Sequence, residues 1–300
     1  MTFNDSIRTN PTRAKSSRGR GGMVAGGGLG LGGVVLFVLY MLMGGDPSDL
    51  PQPAPPPGPQ SGVAEQDQTD KLAKCTDGEA ANTYAECRVI ATAESLDAVW
   101  GELLPREAGR EDVKAGLHIF EDAVNTGCGA ASSSTGPFFC PADDTVYIDT
   151  RFYDALETQL GAKNAPLAQS YIIAHEWGHH IQHLTGQSRQ VNHSDTGPAS
   201  SMVRMELQAD CYAGIWVHHA AQSVDPESGE TFMKPPTPEQ INDALTAAAA
   251  VGDDRIQEKA GHIAPESWTH GSAKQRTTWF TRGYEHGTMK ACDTWSVDHP

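Results

Sequence analysis

His175-Glu176-Trp177-Gly178-His179 is the stretch on which the reading of this chain turns. It lies in Pro166 to Leu184, which carries a helical pattern. Pro166 suits a first helical turn, Tyr171-Ile172-Ile173-Ala174 is an apolar run, and Gly186 supplies a stop. His175 and His179 are four residues apart, which puts both imidazoles on one helix face, within reach of one ion. Glu176 is turned about 100° from His175. It can flank such an ion without binding it and take a proton from a water the ion polarises. This donor set suits one zinc ion, Zn2+, with a position left open. Gly178 costs roughly 1 kcal/mol relative to Ala in mid-helix. It is either slack or the place where another backbone comes close to the metal. His180 and His183 share the helix; His180 is turned off the ligand face, and for both solvent exposure or bracing hydrogen bonds are favoured over ligation.

A third ligand has to come from a later element. A second helix, from about Ser200 to Ala220, carries Glu206-Leu207-Gln208-Ala209-Asp210. Glu206 and Asp210 are again four apart and share a face. Glu206 can complete the metal shell. Asp210 can accept the free N–H of a ligand histidine and so fix its tautomer. Two exposed acids on an amphipathic helix would look the same. The small residues Ala209, Cys211, Ala213 and Gly214 favour tight packing against another helix instead.

Around these two helices, residues 89–104 read as a helix stopped by Pro105. Leu117 to Phe120 and Thr145 to Ile148 read as short strands, and Gly127 to Pro137 as a loop. Thr237-Pro238-Glu239-Gln240 is a capping box that opens a third helix, continuing to Val251. Residues 262–300 look mixed and loop-rich. The expectation is an α+β domain at 71–300, mainly helical with a few short strands.

Met23 to Met43 contains no charged residue. As a helix it would span roughly 31 Å, the thickness of a bilayer's hydrocarbon core. Arg8, Arg13, Lys15, Arg18 and Arg20 precede it, and Asp46 and Asp49 follow it. The positive-inside rule then predicts a basic cytoplasmic tail at 1–22, a transmembrane helix at 23–43 and a domain outside the cell membrane. No A-x-A-like site and no Cys follows the apolar run, so an uncleaved anchor is expected. Residues 46–70 are rich in proline and read as an extended linker. Six cysteines fall after residue 70, an even number that suggests disulfides outside the cytoplasm. No C-x-x-C spacing supports a thiolate zinc site. Cys75–Cys87 and Cys128–Cys140 are the close pairs, which leaves Cys211–Cys292. The net charge is −16, with the acidic excess beyond residue 22. Such a body is repelled by nucleic acid. The partners expected are a peptide or protein substrate and the membrane.

HEWGHH, with ELQADCYAG about 30 residues later, resembles the gluzincin type of metallopeptidase, in which H-E-x-x-H is joined by E-x-x-x-D. More narrowly, the chain is similar to the bacterial neutral zinc metallopeptidase family. The matching runs are CGAASSSTGPFFCPADDTVYID, IIAHEWGHHIQHLTG, ELQADCYAGIW, AAAAVGDDRIQ and ESWTHGSAKQRTTWFTRGYEHG followed by CDTW. The resemblance implies a zincin-like fold, with His175, His179 and Glu206 on zinc and Glu176 as the base, and in many members a membrane-spanning N-terminus. It does not imply a substrate. Thr269-His270-Gly271-Ser272 belongs to the same likeness. His270, with Tyr284 behind it, is the expected donor to the oxyanion of a tetrahedral intermediate. The strand Thr145–Ile148 is expected to hold an extended peptide by edge pairing. A zinc amidohydrolase of cell-wall peptides and a non-catalytic extracytoplasmic binding module stay open beside a peptidase. The intact Glu176 argues against the module.

Overall fold

The computed structural model describes residues 3–20 and 64–300. Its elements run β1 (Lys15–Arg20), β2 (Ala64–Asp67), α1 (Gly78–Thr83), α2 (Ala85–Ala108), β3 (Gly116–Glu121), β4 (Ala123–Thr126), β5 (Gly129–Ser132), β6 (Phe138–Cys140), β7 (Thr145–Ile148), α3 (Phe152–Thr158), α4 (Pro166–Thr185), α5 (Ser201–Ala220), α6 (Pro238–Ala250), α7 (Asp253–Lys259) and α8 (Ala273–His286). Five strands form one mixed sheet in the order β2-β1-β3-β7-β6. The three inner strands run parallel and the two outer ones antiparallel to their neighbours. β4 and β5 make a separate hairpin, and β5 lies inside the stretch expected to be a loop. The architecture is α+β, as expected.

The helix carrying the histidines is central. α4 starts at Pro166, ends at Gly186 in the left-handed region (φ 78°), and is buried on nearly every face. It packs on β6 and β7 on one side and on α2, α5 and α6 on others. A helix surrounded in this way needs apolar residues or satisfied polar ones all round. Leu167, Ile173, Trp177 and Ile181 supply the apolar part.

α5 is capped by Ser200, whose side chain accepts the amide of Val203. It crosses α8 backbone to backbone. A Cβ on Gly214 would lie 2.1 Å from the carbonyl oxygen of Phe280, and one on Gly283 would lie 1.9 Å from that of Cys211. α8 occupies part of the region that looked loop-rich. Its local signals were present: a Ser272–Gln275 capping box and a left-handed Gly287 stop. α2 passes the expected stop at Pro105 and ends at the left-handed Gly109. A missing N–H in the last turn does not by itself end a helix. The disulfides are Cys75–Cys87, Cys128–Cys140 and Cys211–Cys292, the expected pairing. The last ties α5 to the 3-10 turn Met289–Cys292.

Two expected boundaries shift. Residues 3–20, expected within a separate tail, are part of the fold: β1 lies between β2 and β3, and Phe3, Ile7 and Ala14 are buried in the main core. The fold resumes at Ala64, inside the expected linker, with β2 and the turn Thr69–Leu72. The expected span 23–43 lies outside the described residues. No helix among the described residues is long and apolar enough to cross a membrane.

Gly214→Ala separates two readings of that glycine. Helix propensity alone predicts a gain of about 1 kcal/mol. The crossing predicts a loss of about 1–3 kcal/mol from forced separation of α5 and α8. The second outcome is expected in denaturant unfolding.

Candidate metal centre

α4 and α5 approach closely where Gly178 meets Ala209. A Cβ on Gly178 would sit 2.9 Å from the Cα of Ala209, so the glycine serves close approach rather than slack. That contact brings His175 and His179 opposite Glu206. One donor atom from each of the three lies within 4.8 Å of the others. His175 Nε2 is 3.1 Å from Glu206 Oε2, and His179 Nε2 is 3.4 Å from Glu206 Oε1.

The protein also fixes which nitrogens face inward. Asp210 Oδ1 is 2.8 Å from His175 Nδ1 and, as a carboxylate, accepts its N–H. Gln182 donates its amide to the Met205 carbonyl and to Gln208 Oε1. Its own Oε1 is then an acceptor, 2.9 Å from His179 Nδ1. In their neutral forms both imidazoles therefore keep the proton on Nδ1 and present the Nε2 lone pair to the same point. Two inward imidazole nitrogens and a carboxylate fit zinc, with room for a fourth ligand.

Behind Asp210 stands Arg276 of α8. Its Nη2 donates to Asp210 Oδ1 at 3.0 Å, and its Nε lies 2.9 Å from Oδ2. The Tyr171 hydroxyl donates to the same Oδ1 and accepts from Arg276 at 3.2 Å. All three side chains are buried. Burial disfavours the Asp210 charge, but Arg276 and His175 outweigh it and hold its carboxyl below the usual range. Glu206 follows the same pattern: burial is opposed by His179, His175 and His270, and its carboxyl is held well below normal. Burial also works against a charged His175, yet Asp210 and Glu206 pull its pKa up to about 10. The pocket is built around a positive charge.

Glu176 is next to this point but pairs with neither acid. Burial raises its pKa, and His175, His179 and, least, the backbone amide of Phe139 counter that rise. A carboxyl raised above its usual range is a stronger proton acceptor. His270 lies half-buried on the cleft wall. Asp253 collects the amides of Thr269, His270 and Gly271 at 2.8, 2.7 and 3.0 Å, and His270 Nδ1 at 3.2 Å. Asp253, not Tyr284, braces His270. Tyr284 lies near the C-terminal end of α8, away from His270, which precedes the N-terminus of that helix, and its carbonyl accepts from His218. His180 Nε2 donates to the Val113 carbonyl, and His183 Nε2 lies 3.5 Å from Asp144, so neither joins the cluster. The expected substrate strand also moves. β7 is interior to the sheet, and β6 is the edge strand beside the cleft. The cleft holds about 710 Å³ and is walled by Phe138, Phe152, Leu160, Ile172, Val251 and Ile256.

Sequence reasoning missed Arg276, Tyr171, Gln182 and Asp253. Tyr171 and Gln182 stand four before His175 and three after His179, the same face as the ligands, and that spacing was a usable signal. Arg276 and Asp253 arrive from helices distant in sequence and carried none.

The family described as "Putative neutral zinc metallopeptidase" matches residues 4–295, and the chain belongs to it. It is 48% identical over 227 residues to the uncharacterized protein Rv2575 of Mycobacterium tuberculosis, covering 75% of this chain and 76% of that one. It is 38% identical over 273 residues to the uncharacterized protein YpfJ of Escherichia coli K12, covering 88% of this chain and 87% of that one. No solved structure matches it significantly.

Protons and metal compete for His175. With its pKa raised to about 10, the imidazolium dominates below that value and must lose its proton before Nε2 can bind an ion. Zinc affinity should therefore fall about tenfold for each unit the pH drops below 10, from this group alone. Chelator competition between pH 6 and pH 9 measures it; a flat profile contradicts the raised pKa.

Proposed function

We propose that this chain is a membrane-attached zinc peptidase that hydrolyses peptide bonds in extended substrates. The observation that carries the reading is the pair of Nε2 atoms and the Glu206 carboxylate at one point, with Glu176 beside them and outside the ligand set. His175, His179 and Glu206 would hold the ion. Zinc bound there supplies Lewis acidity to water and to the scissile carbonyl. Glu176 takes a proton from the attacking water and passes it to the leaving amine. His270 gives Nδ1–H to Asp253, and as the imidazolium it also has an Nε2–H to donate to the oxyanion. Burial works against that protonated form, but Asp253 raises the pKa and favours it.

The substrate reading rests on β6 and on the cleft. β6 pairs with β7 alone among the described strands, so its outer edge can take an extended peptide as a further strand. The apolar wall suits a bulky aliphatic or aromatic side chain next to the scissile bond. Three disulfides support a location outside the cytoplasm, and the apolar stretch 23–43 supports attachment to the membrane.

Glu176→Gln is expected to lower turnover of peptides carrying Leu or Phe at the cleaved bond by about 10²–10⁴-fold. Bound zinc, measured by metal analysis, should stay equimolar. Equal turnover in the two proteins would sink the peptidase reading. His270→Ala should lower kcat by about 10²–10³-fold with little change in KM; an unchanged kcat removes His270 from the chemistry.

A further inference from the structure

We infer that residues 3–20 and the body 64–300 occupy the same side of any membrane that the stretch 23–43 meets, so the N-terminus is not held in the opposite compartment. The first observation is the place of β1. It is an inner strand, pairing antiparallel with β2 through Ser17↔Asp67 to Arg20↔Ala64 and parallel with β3 through Lys15↔His118 to Arg18↔Glu121. β2 has no other strand partner among the described residues. Without β1, the β2 ladder is lost and β3 becomes an edge.

The residues before β1 are bound as firmly. Phe3 and Ile7 are 1% and 0% exposed. The Asn4 amide donates to the Phe232 carbonyl and its side chain to Thr231. The amides of Arg8 and Asn10 donate to Asp225 and Glu94, and Thr9 bonds the carbonyls of Cys75 and Thr76. Arg13 forms a fork on Asp97 at 2.9 and 3.1 Å and donates to the Ala115 carbonyl. Its guanidinium also lies 5.4 Å from the ring centre of Trp177, inside the histidine motif. Five separated stretches of the body thus hold this segment, one of them the metal helix itself.

A bilayer's hydrocarbon core is about 30 Å thick, so these contacts cannot form across it. Because Arg20 pairs with Ala64, the chain leaves the fold and returns to it at one place. A single crossing between those residues is incompatible with the sheet. Two of the five basic residues of this segment are also engaged by the body. Arg13 is paired with Asp97, and Arg18 with Asp122. These two charges are held against acidic groups of the body. The family match starts at residue 4, which places this segment inside the shared domain.

The test uses the full-length chain in wall-stripped cells. Ser6→Cys and Glu285→Cys are made separately at exposed positions, one in the N-terminal segment and one on α8. The six native cysteines are all in disulfides, so each variant carries one reactive thiol. A membrane-impermeant maleimide is applied before and after detergent permeabilisation, which must label both. The expected result is labelling of both sites in intact cells. Protection of both keeps this inference but removes the extracytoplasmic location proposed above. Labelling of one with protection of the other overturns the inference.

Discussion

The distance between α4 and α5 governs the metal centre. Each helix presents its polar residues at four-residue spacing, His175 and His179 on one and Glu206 and Asp210 on the other. Such spacing aligns side chains along a face but says nothing of how far apart two faces lie. Gly178 against Ala209 sets that distance. A methyl group at position 178 would already meet backbone at 2.9 Å. A glycine in mid-helix sacrifices roughly 1 kcal/mol of intrinsic helix stability. The surrounding core offsets it, since α4 is enclosed by the sheet and three helices.

Closeness of this kind concentrates charge where water cannot screen it. Unpaired, each of these groups would cost several kcal/mol to bury. The arrangement avoids that by alternation: Arg276 faces Asp210, Asp210 faces His175, and His175 faces Glu206. Tyr171 and Gln182 add neutral hydrogen bonds that leave the imidazoles only one sensible tautomer each. The ligand nitrogens are therefore oriented by the fold, before any ion, which lowers the reorganisation that binding requires. The elements supplying this frame are themselves pinned close by. The Cys211–Cys292 disulfide sits one residue from Asp210, and Gly214 and Gly283 let α8 bring Arg276 against α5.

Much of this was legible in the sequence because it is periodic. The α4 and α5 helices, their shared polar faces and the two close cysteine pairs follow from spacing within short windows; Cys211–Cys292 was the pair left over, and Gly178 stayed between two readings until Ala209 was seen against it. β1 was not legible. Lys15-Ser16-Ser17-Arg18-Gly19-Arg20 has no alternation of apolar residues, and beside an apolar stretch its charges read as a flank. Its strand is set by partners a hundred residues away, with Gly19 letting Ala123 approach closely. α8 failed for another reason: its caps were readable, but mixed composition masked them. Tyr284 was placed beside His270 by nearness in the motif, whereas the length of α8 separates them. Asp253 takes that role from another helix, through three backbone amides that sequence cannot display.

The edge strand links the base to the substrate reading. β6 borders the cleft, and the Phe139 amide lies against Glu176. The acidity of Glu176 is a balance in which burial raises the pKa and the two imidazoles lower it. A peptide laid along β6 would displace water from the same wall. That strengthens the burial effect and leaves the imidazoles where they are. The carboxyl would then become more basic as the scissile bond arrives, which is when a proton acceptor is needed. A charged ion at the three ligands pulls the other way, by favouring the carboxylate. The two influences oppose each other at one side chain, and its position between them, on the ligand helix but off the ligand face, is what the one-residue offset from His175 provides.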